Sequence, residues 1–154
     1  MKSVDNDLIR QAVRESYAKI ANESSDGCGC APSCCGDEGV SSVENISLSL
    51  GYSAEELSSI PTDANMGLGC GNPQAIASLK EGEVVMDLGA GGGLDCFLAV
   101  KEVGTSGYVI GVDMTPDMIT VARKNVESSG YKNVEFRLGE IEHLPAADNS
   151  VDVI

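Results

Sequence analysis

The sequence predicts an α/β fold in which a parallel sheet of about four strands is covered by helices, preceded by an N-terminal helical and cysteine-rich segment. From about residue 84, short buried strand patterns alternate with longer helical patterns, which is typical of parallel βαβ units. The first of these strands runs directly into a glycine-rich turn that opens a helix, and glycine lets the backbone bend sharply there.

The chain divides into an N-terminal segment, residues 1–72, and an α/β domain, residues 73–154. The N-terminal segment begins with a predicted helix over residues 5–21, where apolar residues recur at three- and four-residue steps. The stretch that follows, residues 22–42, is rich in Gly, Ser and Cys and has no apolar period. It is therefore predicted to be a loop.

Two short helices are predicted before the sheet begins. Ser53 and Glu56 form a capping box at the start of the first, and Pro61 ends it. Asn72, followed by a proline, predicts the N-terminus of the second, which ends near Gly82.

The α/β domain is predicted as strand 84–89, helix 92–104, strand 107–114, helix 115–130 and strand 133–140. Thr115 is the expected N-cap of the second helix, with a proline behind it. Residues 151–154, VDVI, are the opening of a fourth strand. Because a parallel sheet that stopped there would leave apolar faces and unpaired backbone groups exposed, the chain is predicted to be the N-terminal fragment of a longer protein.

Charge and cysteine content limit the classes of partner. The net charge of −14, from 10 basic and 24 acidic residues, disfavours nucleic acid and anionic membranes, because phosphate binding needs Lys and Arg. The sequence contains no apolar run long enough to span a bilayer and no secretory signal. We therefore expect a cytoplasmic protein whose six cysteines are reduced.

The sequence DLGAGGGLD lies between the first predicted strand and the helix after it. Gly89, Gly91 and Gly93 let the backbone bend and approach a ligand without a Cβ in the way. The dinucleotide fingerprint needs a third glycine at position 94, where this chain has Leu94. The turn therefore predicts a cofactor site but does not support a nicotinamide dinucleotide.

Each of the three predicted strands carries a carboxylate near its carboxyl end. Asp87 precedes the glycine turn, Asp113 follows the second strand and Glu140 follows the third. Ligands of open α/β sheets bind at this edge, and an acid after the second strand can accept ribose hydroxyls. We expect the three side chains to converge on one nucleoside-bearing ligand.

The motifs VVMDLGAGGGLD, GVDMTPDM and GEIEHLP resemble those of the class I methyltransferases. This resemblance, over residues 84–154, implies S-adenosylmethionine as cofactor. It implies that Asp87, Gly89 and Gly91 hold the methionine part, Asp113 the ribose, and Glu140 with Ile141 the adenine. Ala90 and Met114 are expected in the same site. Tyr17 either closes over the cofactor, as the resemblance implies, or anchors its own helix.

The upstream motifs VRESYAKIA and NMGLGCGNP, with the pair Cys34 and Cys35, resemble the arsenite methyltransferases. In that family thiolates bind trivalent arsenic, a soft metalloid that prefers sulfur ligands. The resemblance implies that Cys70 is the arsenic-binding thiol, that Cys34 or Cys35 pairs with it, that arsenite or its thiol conjugate is the substrate, and that a thiol reductant supports turnover. The family's two other arsenic-binding cysteines fall beyond Ile154, so we expect this chain alone to be inactive.

Two other interpretations remain open at this stage. Cys28, Cys30, Cys34 and Cys35 could form a structural zinc site in a methyltransferase for a small organic molecule, although their spacing is poor for tetrahedral zinc. Alternatively, the chain could be a non-catalytic, thiol-rich module that binds metalloid. Cys96, in the helix after the glycine turn, is expected to be a core residue.

Overall fold

The computed structural model of the chain describes residues 6–23, 43–69, 71–73 and 77–154. The α/β part contains β1 (Val84–Leu88), β2 (Tyr108–Asp113) and β3 (Val134–Leu138), which form a parallel sheet in the order β1-β2-β3. The helices are α1 (Asn6–Glu23), α2 (Val43–Ser49), α3 (Ala54–Ser58), α4 (Leu94–Val103) and α5 (Pro116–Ser129), with a 3₁₀ turn at Thr62–Ala64.

The predicted fourth strand is present as a single parallel bridge. Val153 pairs with Val85, and the Met86 amide donates to the Val153 carbonyl at 2.9 Å. The carbonyl of Val84 accepts from the Asp152 amide at 2.8 Å, on the edge of β1 opposite to β2. The strand order therefore reverses at β1, which is where open α/β sheets bind their ligands.

One face of the sheet carries the main core. Phe97 of α4 is fully buried and packs against Phe136 of β3, with ring centroids 6.0 Å apart. Tyr52, Ile60 and Ala64, from the predicted N-terminal segment, belong to the same buried cluster. The division of the chain at residue 73 stays a prediction. Within the described residues, no helix is long and apolar enough to cross a membrane.

Most predicted elements are confirmed, including helix α1 and the Ser53–Glu56 capping box. The helix predicted to run to Gly82 is wrong at its C-terminal end: Ala77 closes a turn onto the Pro73 carbonyl, and Ser78 then has a φ of 47°. Helix α2 was not predicted. Thr115 is the N-cap of α5, but its side chain makes no capping hydrogen bond.

Candidate functional site

A cavity of about 430 Å³ lies at the carboxyl edge of the sheet, within the size range of small-ligand pockets. Its walls come from the glycine turn after β1, the ends of β2 and β3 with the loops that follow them, and helix α1, together with Leu68 and with Met118 of α5. It brings together seven of the nine predicted cofactor residues: Tyr17, Gly89, Gly91, Asp113, Met114, Glu140 and Ile141.

The glycine turn has two sides with different surroundings. Gly91 has a φ of 51°, and a Cβ at this position would have no atom within 4 Å. Gly93 has a φ of 99°, and its Cβ would lie 2.6 Å from the Phe136 ring. The chain therefore needs glycine at 93 for packing in the core, whereas Gly91 leaves open space toward the cavity.

Asp113 joins the glycine turn to the start of α5. Its Oδ2 accepts from the Gly91 amide at 3.0 Å and its Oδ1 accepts from the Thr115 amide at 2.8 Å. Each carboxylate oxygen has a second lone pair, so both can still accept hydrogen bonds from a ligand. The side chain predicted to accept ribose hydroxyls thus also fixes the backbone on both sides of the cavity.

Asp87 and Ala90, the two other predicted cofactor residues, do not line the cavity. The Asp87 Oδ2 accepts from the Cys96 thiol at 3.3 Å, and burial raises the pKa of Asp87. Ala90 is buried beneath the turn, where its amide donates to the Val112 carbonyl at 3.0 Å. In the structure both residues therefore contact the protein interior beside the turn, and their contact with a cofactor stays a prediction.

Helix α1 is tied to the loop after β3 by two ion pairs. Arg14 pairs with Glu140, and Arg10 donates to Glu142 at 2.6 Å. Sequence analysis missed both arginines, although positions 10, 14 and 17 follow the i, i+4, i+7 spacing of one helix face. Tyr17 and Arg10 on this face line the cavity, so α1 forms one wall of it.

Asn125 is a second residue that sequence analysis missed. It is 4% exposed in α5 and donates from Nδ2 to the Gly92 carbonyl at 3.0 Å. The available signal was an asparagine at an apolar position of the helix, in line with Met118 and Ala122. Its amide holds the carbonyl of the glycine turn from the core side.

The predicted thiol site mostly lies outside the described residues, because Cys28, Cys30, Cys34, Cys35 and Cys70 all do. The prediction that Cys96 is a core residue is confirmed, since it is fully buried, and burial raises the pKa of its thiol. Among the residues that the structure describes, no group of three or more His, Cys, Asp or Glu side chains could hold a metal ion.

The reversal of strand order, the open glycine turn and the acids at the ends of β2 and β3 are typical of an α/β domain that binds a nucleotide-like ligand at the edge of its sheet. Residues 79–154 match the family described as a methyltransferase domain. A crystal structure of an S-adenosylmethionine-dependent methyltransferase from Aquifex aeolicus is 26% identical and aligns with a TM-score of 0.51, covering 76% of this chain and 56% of that one.

The chain belongs to the class I S-adenosylmethionine-dependent methyltransferases. It is 52% identical to the arsenite methyltransferase of Halobacterium salinarum over 97% of its length, and 44% identical to that of Aquipseudomonas alcaligenes over 56%. The predicted resemblance to both families is thus confirmed. The chain spans 39% and 26% of the length of these two relatives.

Proposed function

We propose that the chain binds S-adenosylmethionine in the cavity at the sheet edge and takes part in methylation of trivalent arsenic held by cysteine thiolates. The cavity supports the proposal of this cofactor, because a glycine turn that is open to a ligand lies next to the Asp113 carboxylate, whose two oxygens each accept a backbone amide. The extent of similarity supports the substrate: it covers 97% of the chain for the Halobacterium arsenite methyltransferase but 49% for the demethylmenaquinone methyltransferase of Lactobacillus johnsonii.

The residues around the cavity suit the parts of such a cofactor. Gly89 and Gly91 leave room for the methionine part, Asp113 accepts the ribose hydroxyls, and Glu140 with the exposed Ile141 receives the adenine. Of the three acids in the lining, Glu140 and Glu142 are paired with arginines of α1, so the charge that favours a cation over an anion comes from Asp113. When bound, this cofactor supplies a methyl group on a positively charged sulfur.

In the proposed reaction, thiolates of Cys70 and of Cys34 or Cys35 would bind trivalent arsenic, and the bound cofactor would supply the methyl group that is transferred to the arsenic. The protein's contribution is to bring the two reactants into line. A cytoplasmic setting with a thiol reductant, and a small molecule rather than nucleic acid or a membrane as partner, belong to the same proposal.

Two titrations test this function. Calorimetry should show saturable S-adenosylmethionine binding that is weakened in Asp113→Ala and unchanged in Asp148→Ala, a control for an exposed acid. Equilibrium dialysis should show arsenite retained by the reduced chain and lost in Cys70→Ser but kept in Cys28→Ser. Metalloid binding without cofactor binding would favour the non-catalytic module, and one zinc per purified chain would favour the zinc site.

The inactivity of the chain by itself stays a prediction. The assay incubates residues 1–154 with arsenite, cofactor and a thiol reductant. Detection of methylated arsenic by mass spectrometry would contradict the prediction.

A further inference from the structure

Glu140 lies at the edge of the cavity, where its backbone and its side chain are fixed by different contacts. The Gly139 amide donates to the Asp113 carbonyl at 3.0 Å. The His143 amide donates to the Glu140 carbonyl, also at 3.0 Å. These two contacts fix the main chain on either side of the acid. The side chain has a contact of its own, because Arg14 of α1 donates to Oε1 of Glu140 and forms an ion pair with it.

Arg14 is partly enclosed by the packing of α1. Its Nε is buried and has no hydrogen-bond partner among the residues that the structure describes. Further contacts hold the helix itself. Near its start Arg10 donates to Glu142 at 2.6 Å, and near its end Asn22 donates to Asp117 of α5 at 3.2 Å. We therefore expect the helix to keep its place when the Arg14 pair alone is removed.

The ion pair leaves Glu140 able to bind a further donor. A guanidinium can only donate and an ionised carboxylate can only accept, through two lone pairs on each oxygen. While Oε1 accepts from Arg14, Oε2 keeps its lone pairs for an amino group in the cavity. Because Arg14 already orders the carboxylate, the ligand is spared the entropic cost of ordering this long side chain, which otherwise lowers affinity by about fivefold.

We infer that Arg14 is a positioning residue: its ion pair holds the Glu140 carboxylate in the orientation that accepts the amino group of the bound base, and it thereby sets the preference for a base that carries this group. The inference rests on the proposed function, in which Glu140 receives the adenine. Arg14 itself need not touch the ligand, because it acts through Glu140.

Two ligands separate this role from a general effect on the site. S-adenosylhomocysteine is the cofactor without its methyl group, and its purine analogue has hydrogen in place of the amino group of the base. The ratio of the two dissociation constants reports the hydrogen bond to the amino group. In the wild type we expect this ratio to favour the adenine form by at least about tenfold. Arg14→Gln should reduce the preference about fivefold, mainly by weakening the adenine form.

Calorimetry on the whole chain at fixed ionic strength measures both constants. Arg10→Gln is the matched control, because it removes the ion pair of α1 with Glu142 in the same loop and leaves the pair of Arg14 with Glu140 in place. It should change both dissociation constants by the same factor and keep their ratio within about twofold of the wild type. In a chain that already carries Glu140→Ala, Arg14→Gln should change the ratio by less than about twofold, because the carboxylate through which it acts is gone.

A ratio in Arg14→Gln that stays within twofold of the wild type would overturn the inference. An equal fall in Arg10→Gln, or an undiminished effect of Arg14→Gln in the Glu140→Ala background, would also overturn it. A looser helix would weaken both ligands alike, so a change in the ratio separates positioning of the carboxylate from loss of packing. If the wild type bound neither ligand, the proposed function would fail. If it bound the adenine form and Arg14→Gln kept the ratio, the inference alone would fail.

Discussion

Asp113→Asn is the substitution whose effect follows most directly from the geometry of the site. The carboxylate accepts one backbone amide on each oxygen, from Gly91 at 3.0 Å and from Thr115 at 2.8 Å. Asparagine keeps one oxygen and replaces the other with an NH₂ group, which cannot accept. One of the two backbone amides therefore faces a donor and loses its partner.

The size of the effect follows from that lost hydrogen bond. Hydrogen bonds to charged groups contribute about 1.5–3 kcal/mol each, so we expect a comparable fall in the free energy of unfolding. The variant also loses one of the oxygens proposed to accept ribose hydroxyls. The affinity for S-adenosylmethionine should therefore fall by at least about tenfold.

Calorimetry at fixed ionic strength measures the affinity, and urea denaturation measures the stability. Asp148 is an exposed acid in the loop after β3, so the control variant Asp148→Asn should leave both quantities unchanged. A dissociation constant within twofold of the wild type in Asp113→Asn would refute the role given to this carboxylate. A loss of stability with unchanged affinity would show that Asp113 holds the backbone only.

Three further predictions concern the support of the site. In Gly111→Ala the new Cβ would lie 2.5 Å from the Phe136 ring, and overpacking of this kind costs about 1–3 kcal/mol, measurable as a lower urea midpoint. Asn125→Leu leaves the Gly92 carbonyl without its 3.0 Å hydrogen bond, so it should lower stability by about 1–3 kcal/mol and weaken cofactor binding in the same calorimetric assay. Burial raises the pKa of Asp95 from 3.8 to about 6, so the folded state favours the protonated carboxyl. The protonated carboxyl therefore contributes fully to stability below about pH 4, and this contribution is lost as the pH rises through about 6. Denaturation from pH 4 to 7 should show this loss in the wild type and not in Asp95→Asn.

The α/β half could be predicted because its signals are local. Buried runs bounded by glycine and proline mark the strands and helices, and parallel strands necessarily bring residues such as Asp113 and Glu140 to one edge. Helix α2 was missed because serine and asparagine are poor helix formers, and the contact of Ser47 with Asn65 at 2.9 Å is a tertiary one.

The parts of the site that escaped prediction depend on packing between distant segments. The ion pairs from Arg10 and Arg14 join residues 132 and 126 positions apart, and a single sequence does not show which acids they meet. Thr115 was predicted correctly as the residue at the helix start, but not in its contacts. Its backbone amide donates to Asp113, and its own side chain makes no capping hydrogen bond.

The position of β1 inside the sheet has a consequence for the order of folding. Its outer neighbour comes from residues near 152, and the contact of the Val84 amide with Asp152 at 2.8 Å spans 68 positions. Contacts of such long sequence separation form slowly, because a large loop must close first. During synthesis, β1 therefore has a partner on one side only until the residues near 152 leave the ribosome, and its second edge is open to pairing with other chains during that time.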